Sequence, residues 1–248
     1  MFEYTPPPAL LAERVILITG AGDGIGRAAA KSFAAHGATV ILLGRTISKL
    51  EAVYDEIEQA GHPQPAIYPM NLEIASPNDY ENLANTLETE FKRLDGLLHN
   101  ASILGTLTPL EHYEIDLWYQ VMQVNLNAPF LLTQACLGLM KRAKDASIVF
   151  TSSSVGRKGR AYWGAYSVSK FATEGFMQIL ADELEVNTTI RVNSINPGAT
   201  RTAMRAAAYP GEDYKTLPQP EEIMPLYLYL MGPESSEVNG QALNAQQM

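Results

Sequence analysis

The residues of this chain best placed to perform chemistry are Tyr166 and Lys170, four positions apart, with Ser153 thirteen residues before the tyrosine. At that spacing on a helix, two side chains lie on one face, one turn apart. The ammonium can then lower the pKa of the phenol from about 10 toward neutral pH. Such a phenol can act as a general acid or base on a carbonyl or alcohol. The spacing alone also fits two exposed residues of any helix, so the interpretation depends on the rest of the sequence.

A glycine-rich segment near the start of the chain predicts a nucleotide site. Residues 15–19 form a short apolar run typical of a buried strand, and residues 25–36 have the apolar spacing of a helix. Gly20, Gly24 and Gly26 lie at the junction, where glycine lets the backbone turn sharply and approach a ligand. The free N–H groups of the helix start suit a pyrophosphate. No Lys-Ser/Thr pair follows, so we expect a dinucleotide site and not an ATP-type P-loop.

Apolar strand-like runs alternate with helical patterns along the chain. Strands are predicted at 15–19, 39–43, 66–70, 96–99, 147–151 and 190–195, with a short last strand at 242–244. Helices are predicted at 25–36, 47–60, 77–92, 114–141, 164–187 and 221–231. This alternation predicts an α/β fold, a doubly wound parallel sheet of Rossmann type with helices on both faces. We expect one domain over residues 1–248, with residues 199–220 as a mobile lid over the substrate.

Composition restricts the function classes. A chain of 248 residues, 46% of them hydrophobic, suits one large domain, and no apolar run is long enough to span a membrane. The start has no secretory signal pattern, and the single cysteine, Cys136, cannot form an internal disulfide, so we expect a cytoplasmic protein. The net charge of −9 argues against nucleic acid as a partner. Four scattered histidines without an H-E-x-x-H motif give no support to a metal site.

The end of the second predicted strand indicates the cofactor. A carboxylate there would accept hydrogen bonds from a ribose 2′-OH and repel a 2′-phosphate. The sequence instead reads Leu43-Gly44-Arg45, and a guanidinium can bind a phosphate through two hydrogen bonds. Arg27 on the first helix could assist. Arg45 could also be an ordinary solvated residue at a helix start, but we favour NADP(H) over NAD(H).

Five ordered motifs resemble the short-chain dehydrogenase/reductase family over nearly the whole chain, and the chain looks closest to a bacterial branch, the YciK-like oxidoreductases. The motifs are Thr19-Gly20-x-x-x-Gly24-x-Gly26, Asn100-Ala101 after the fourth strand, Asn125, the group Ser153, Tyr166 and Lys170, and Asn196-Pro197-Gly198. The resemblance implies a small-molecule carbonyl or alcohol substrate and hydride transfer to or from NADP(H).

The resemblance also assigns roles to four catalytic residues. Tyr166 would exchange a proton with the substrate oxygen, which Ser153 would hydrogen-bond. Lys170 would bind the nicotinamide ribose, and Asn125 would hold a water that relays protons to Lys170. Together with Arg45, the expected cofactor contacts are Gly20, Gly22, Asp23, Gly24, Ile25, Gly26, Asn71, Leu72, Asn100, Ala101, Ser102, Tyr166, Lys170, Pro197, Gly198, Thr200 and Thr202.

Two positions depart from the family pattern. Asn71 replaces an acidic residue near the adenine, which removes a charge but keeps a hydrogen-bonding group. Ser102 stands where the family usually has glycine, and if the backbone there needs a positive φ, serine costs about 1 kcal/mol. His99, beside this motif, is expected to be a packed residue at a strand end.

Two groups of residues bear on the substrate, and each group has two interpretations. Arg157, Lys158 and Arg160 could attract an anionic substrate, such as a keto acid or an acyl phosphopantetheine ester, or could form a solvated basic loop. A second group could line an apolar pocket or serve as core or subunit contacts; its members are Tyr162, Trp163, Met204 and Tyr209.

Two other function classes fit the sequence less well. The first is a non-catalytic dinucleotide sensor on the same fold, which the complete set of four catalytic residues disfavours. The second is a sugar epimerase or dehydratase, which would need more than the roughly fifty residues that follow Pro197. The long apolar segments 114–141 and 164–187 suit contact between subunits, so we expect a homodimer or homotetramer.

Overall fold

Short runs rich in Val, Ile and Leu form the strands of one parallel sheet. In this computed structural model, which describes residues 1–247, the sheet has seven strands in the order β3-β2-β1-β4-β5-β6-β7. The strands are β1 Val15–Thr19, β2 Thr39–Gly44, β3 Ala66–Pro69, β4 Gly96–His99, β5 Ala146–Thr151, β6 Ile190–Asn196 and β7 Ala242–Asn244. The predicted doubly wound fold is confirmed. The order reverses between β1 and β4, and a ligand crevice is expected at the carboxyl ends of those strands.

Eight α-helices lie within the described residues. They are α1 Gly24–Ala35, α2 Ile47–Gln59, α3 Pro77–Phe91, α4 Ile115–Met122, α5 Ala128–Met140, α6 Gly164–Glu185, α7 Ala203–Ala208 and α8 Met224–Met231. The single helix predicted over 114–141 is divided by a π-helical turn, Gln123–Asn127. The sequence did not predict α7, because its alanines lie among prolines and glycines that indicate a loop; Thr202 caps it by accepting from Arg205 N at 3.1 Å.

The sheet is apolar on both faces because helices cover both. Ile16 and Ile18 of β1 pack in one core with α1 and α8, whereas Leu17 packs in the other with α3, α5 and α6. All three side chains are fully buried. Strands buried on both faces show continuous apolar runs and not alternation, which explains the pattern of the sequence.

The residues before β1 take part in the fold. Phe2 N donates to Ala245 O at 2.9 Å. Tyr4 packs edge-on against Tyr229 of α8, with 5.3 Å between ring centroids. Two aromatic side chains beside three consecutive prolines show no helical or strand periodicity, so the sequence pattern could not predict this packing.

Two features that residues 1–247 lack bear on function. In that part of the chain, no helix has both the length and the apolar character that a membrane span requires. Nor do the described residues include a group of three or more His, Cys, Asp or Glu side chains arranged to hold a metal ion.

Candidate active site

A cavity of about 530 Å³ opens at the carboxyl ends of β1 and β4, where the strand order reverses. Apart from Gly26, all the expected cofactor contacts line it, and so does Ser153. Asn125 does not line the cavity either. The structure therefore brings together residues as far apart in the sequence as Gly20 and Thr202.

The glycine turn allows the backbone of β1 to approach two neighbouring segments. Gly20 has a φ of +68°, and a Cβ there would lie 3.0 Å from the Cα of Ala101. A Cβ on Gly26 would lie 2.2 Å from the carbonyl oxygen of Gly20, which a side chain cannot do. Gly26 therefore lies beneath the cavity, where its lack of a side chain allows α1 to pack directly against the turn. Asp23 caps α1 by accepting from Gly24 N at 2.8 Å.

The cations at this end differ in their partners. Lys49 pairs with Asp23 at 2.5 Å, and Arg27 pairs with Glu56 at 2.6 Å. Arg45 lines the cavity, is exposed and makes no ion pair within residues 1–247. The suggestion that Arg27 assists phosphate binding is not supported, because its guanidinium is paired and does not line the cavity.

Thr19 ties the first and fourth strands together beneath the cavity. Its Oγ1 accepts hydrogen bonds from Asn100 N and Ala101 N, each at 3.0 Å. Ser102 is not among the residues with positive φ, so serine at this position costs no left-handed backbone strain. Ser102 Oγ is buried without a hydrogen-bond partner of regular geometry.

His99 lies under this loop as a packed residue, as the sequence suggested. Its ring stacks on Phe150 with 4.7 Å between centroids, and Nε2 lies 2.8 Å from Thr133 Oγ1. Complete burial lowers the pKa of His99 to about 3, so its imidazole is neutral at physiological pH. It does not line the cavity.

Tyr166 and Lys170 lie on the buried face of α6, and both line the cavity. Lys170 Nζ donates to the carbonyl oxygen of Thr151 at 2.7 Å and lies 5.5 Å from the centre of the tyrosine ring. Burial lowers the pKa of Lys170 to about 8, an effect that Glu174, one turn further along the helix, opposes.

The net lowering of the phenol pKa that the spacing predicted is not found in this structure. Burial raises the pKa of Tyr166 to about 12, and only the neighbouring hydroxyls of Ser153 and Ser102 oppose the rise. The ammonium is hydrogen-bonded to the Thr151 carbonyl and not to the phenol oxygen. The phenol therefore holds its proton at neutral pH, as a proton donor must.

Ser153 follows β5 and begins a short 3₁₀ turn, Ser154–Gly156, in which its Oγ accepts from Val155 N at 3.4 Å. The run 151–154 contains four hydroxyl residues, and sequence spacing alone selected the third. Thr151, Ser152 and Ser153 all line the cavity, and of the four hydroxyls in the run only that of Ser153 opposes the rise in the pKa of Tyr166. The catalytic role of Ser153 stays a prediction.

Asn125 lies in the π-helical turn between α4 and α5, a feature that is frequent at functional sites. Its Oδ1 accepts from Ile103 N at 2.9 Å, and its Nδ2 donates to Ile103 O and to Ser169 Oγ, each at 3.0 Å. The side chain thus joins the loop after β4 to α6. Its proposed role in holding a water stays a prediction.

In the basic segment after Ser153, Lys158 and Arg160 are exposed, as the solvated-loop interpretation expects, but Arg157 is not. Arg157 is neither solvated nor free, since it pairs with the buried Glu174 at 3.1 Å and donates to Asn244 Oδ1 at 2.8 Å. Arg160 donates to Tyr209 Oη at 2.7 Å on the exterior. Neither arginine lines the cavity.

Of the four candidate pocket residues, Trp163 and Met204 line the cavity. Tyr209 packs against Trp163 from behind, with 5.8 Å between ring centroids. Tyr162 is 61% exposed and lies outside the pocket.

The cavity has further lining residues that the sequence did not single out: Thr46, Lys49, Leu50, Met70, Glu73, Ile103, Leu104, Val124, Thr151, Ser152, Ala203, Arg205 and Ala208. Most of them are sequence neighbours of predicted residues, which is the only signal that could have found them. Arg205 lies on the unpredicted helix α7, inside the segment expected to be a lid.

Comparisons with known proteins agree with this geometry. The family model for short chain dehydrogenases matches residues 14–213. YciK of Escherichia coli strain K12, described as an uncharacterized oxidoreductase, is 51% identical over 243 residues, covering 98% of this chain and 96% of YciK. A short chain dehydrogenase structure from Pseudomonas syringae superposes with a TM-score of 0.98 at 64% identity, covering 99% and 100% of the two chains. A crystal structure from E. coli CFT073, complexed with NADPH, has a TM-score of 0.95 and 52% identity, with 98% and 100% covered.

Proposed function

This chain belongs to the short-chain dehydrogenase family, and on that premise we propose that it transfers hydride between NADP(H) and a carbonyl or alcohol substrate, with Tyr166 as general acid and base. One observation carries the proposal. The buried phenol, the Ser153 hydroxyl and the Lys170 ammonium line the same cavity as the glycine turn and the unpaired Arg45.

The residues present fit NADP(H). The turn at Gly20 and Gly26 leaves backbone where a Cβ could not fit, and it ends at the start of α1, where free N–H groups suit a pyrophosphate. Arg45 offers an unpaired cation for the 2′-phosphate, and a relative at 52% identity is complexed with NADPH. When bound, NADP(H) supplies or accepts the hydride.

Tyr166 and Ser153 would act on the substrate oxygen. Because burial keeps the phenol protonated, Tyr166 can donate to a carbonyl oxygen as negative charge develops on it. The Ser153 hydroxyl would hydrogen-bond the same oxygen and stabilise that charge. In the alcohol-oxidising direction the same groups would act in reverse: Tyr166 would first pass its own proton to solvent by way of the proposed water relay at Lys170, and the phenolate would then accept the proton of the alcohol.

Lys170 and Asn125 would support the proton transfer. The Lys170 ammonium stabilises a phenolate formed beside it, since opposite charges attract strongly at a buried site. Asn125 fixes the loop that carries Ser102 and Ile103, and we propose that its turn also holds the water that returns a proton to Lys170. Residues 199–220 would serve as the lid, since Met204 and Arg205 within them line the cavity.

We also propose that the protein is a homodimer or homotetramer. The outer faces of α4, α5 and α6 expose large apolar side chains, which in a water-soluble enzyme usually mark contact surfaces. The most exposed on these helices are Ile115 at 69%, Tyr119 at 67%, Ile179 at 60% and Phe130 at 47%.

A panel of aldehydes and ketones, assayed by loss of NADPH or NADH absorbance, tests the proposed activity. We expect oxidation of NADPH in preference to NADH with at least one compound, and loss of that activity in Tyr166→Phe. A protein that binds NADPH tightly but reduces no member of a broad panel would instead favour a dinucleotide sensor.

A further inference from the structure

The wall of the cavity around Tyr166 is apolar. Trp163 and Val155 pack with Tyr166 in a small core of their own, separate from the two cores of the sheet. The partly buried side chains against this core are Leu104, Leu107, Met204, Ala208 and Tyr209. Besides Tyr166 itself, four of these residues line the cavity as well: Leu104, Trp163, Met204 and Ala208. A substrate whose oxygen meets the phenol would therefore extend along apolar side chains.

The one arginine on this wall is already neutralised. Arg205 forms two hydrogen bonds with the carboxylate of Glu212, each at 2.6 Å, and its guanidinium lies 3.7 Å from the centre of the Tyr209 ring. Both partners are on the same short segment, so the charge is balanced before a substrate enters. The neighbouring Arg157 and Arg160 lie off the cavity, with Glu174 and Tyr209 as their partners.

An anionic substrate would gain little at such a wall. Burying a carboxylate without a counter-charge is costly, whereas burying an apolar ring is favourable in proportion to its area. Two further cations line the cavity without an ion pair in residues 1–247: Arg45 stands at the cofactor end, where the proposed 2′-phosphate engages it, and Lys170 donates to the Thr151 carbonyl oxygen and is proposed to act on the phenol and the ribose.

We propose, on the premise of the proposed function, that the substrate is an uncharged ketone, aldehyde or alcohol whose apolar ring or branched chain packs between Trp163 and Met204. In the reductive direction the substrate carbon gains a hydride from NADPH, its C=O double bond becomes a C–O single bond, and the oxygen gains the Tyr166 proton; NADP⁺ remains. A keto acid or another anionic carbonyl compound is disfavoured at this wall.

The matched probes are methyl phenylglyoxylate and phenylglyoxylate. They share a ring and a ketone, and they differ in whether the group beside the ketone is a neutral ester or a carboxylate. We expect kcat/KM with NADPH to be at least about tenfold higher for the ester, in keeping with the cost of burying an unpaired charge. Equal or higher kcat/KM for the acid would overturn the inference.

Substitutions on the wall sharpen the test. Trp163→Ala should lower kcat/KM for the ester by about tenfold or more while NADPH affinity is kept, because the ring loses its packing partner. Met204→Lys should shift the acid-to-ester ratio toward the acid, since it adds an unpaired cation. The paired control is the double variant Arg205→Gln with Glu212→Gln, in which the acid-to-ester ratio should not change. A fall in acid activity confined to that control would show that Arg205 binds an anion, against the inference.

A binding measurement separates this inference from the proposed function. In a Trp118→Phe background Trp163 is the remaining tryptophan, and methyl phenylglyoxylate titrated onto the NADP⁺-saturated protein should quench its fluorescence. Quenching by the acid and not by the ester would refute the inference while leaving the oxidoreductase proposal intact. Failure to bind NADPH or to reduce either probe or any of the panel would instead refute the proposed function.

Discussion

Replacing Arg45 by glutamine tests how the cavity distinguishes its dinucleotide. Arg45 is exposed at the cavity mouth without an ion-pair partner in residues 1–247, so its guanidinium is available to a 2′-phosphate at no cost of breaking another contact. Hydrogen bonds to charged groups contribute about 1.5–3 kcal/mol. Because the side chain is exposed and screened by salt, the lower end applies, which corresponds to a loss of about tenfold in NADPH affinity.

NADH lacks the 2′-phosphate, so its affinity should be nearly unchanged in Arg45→Gln. The assay is a fluorescence titration of each cofactor at fixed ionic strength, repeated at higher salt, where the difference between the two proteins should shrink. Arg27→Gln is the matched control, because Arg27 is paired with Glu56 and does not line the cavity. The reasoning fails if Arg45→Gln binds NADPH as the wild type does, or if NADPH and NADH weaken equally.

Three further predictions concern stability and assembly. Below about pH 6.5 the unfolded chain protonates His99, whereas the folded chain, in which the pKa of His99 lies at about 3, does not. The free energy of unfolding should therefore fall by about 2 kcal/mol between pH 6.5 and pH 5. In urea unfolding, His99→Gln should make the free energy of unfolding depend less on pH over this range. Glu174→Ala leaves the half-buried Arg157 without its ion-pair partner and should cost about 3 kcal/mol by urea unfolding, whereas Glu183→Ala, at an exposed position, should cost little. Light scattering should give a dimer or tetramer for the wild type and a smaller species for Phe130→Glu, and a monomeric wild type would refute the proposed assembly.

The sequence predicted the fold well where local pattern and packing agree. Continuous apolar runs such as 15–19 could only be strands covered on both faces, and the glycines at 20 and 26 marked where backbone must approach backbone. The spacing of Tyr166 and Lys170 placed both on one helix face. These features are determined by residues that are close together in the sequence, so the sequence alone can predict them.

Other features depend on contacts between distant residues, and the sequence could not reveal them. Burial raises the pKa of Tyr166, whereas spacing alone suggested that Lys170 would lower it. The basic run after Ser153 indicated solvent or an anion, but Arg157 finds its partner, Glu174, on α6. The alanines of α7 form a helix because Thr202 caps it, within a segment whose prolines and glycines indicate a loop.

The most direct test of the central claim compares the wild type with Tyr166→Phe under saturating NADPH and the best substrate of the carbonyl panel. The substitution removes one oxygen from a buried ring and leaves the packing against Trp163 in place. We expect kcat to fall by about 10²-fold or more, as the loss of a general acid requires, while the NADPH dissociation constant stays close to that of the wild type. Turnover near the wild-type rate in Tyr166→Phe would contradict the claim that this phenol delivers the proton.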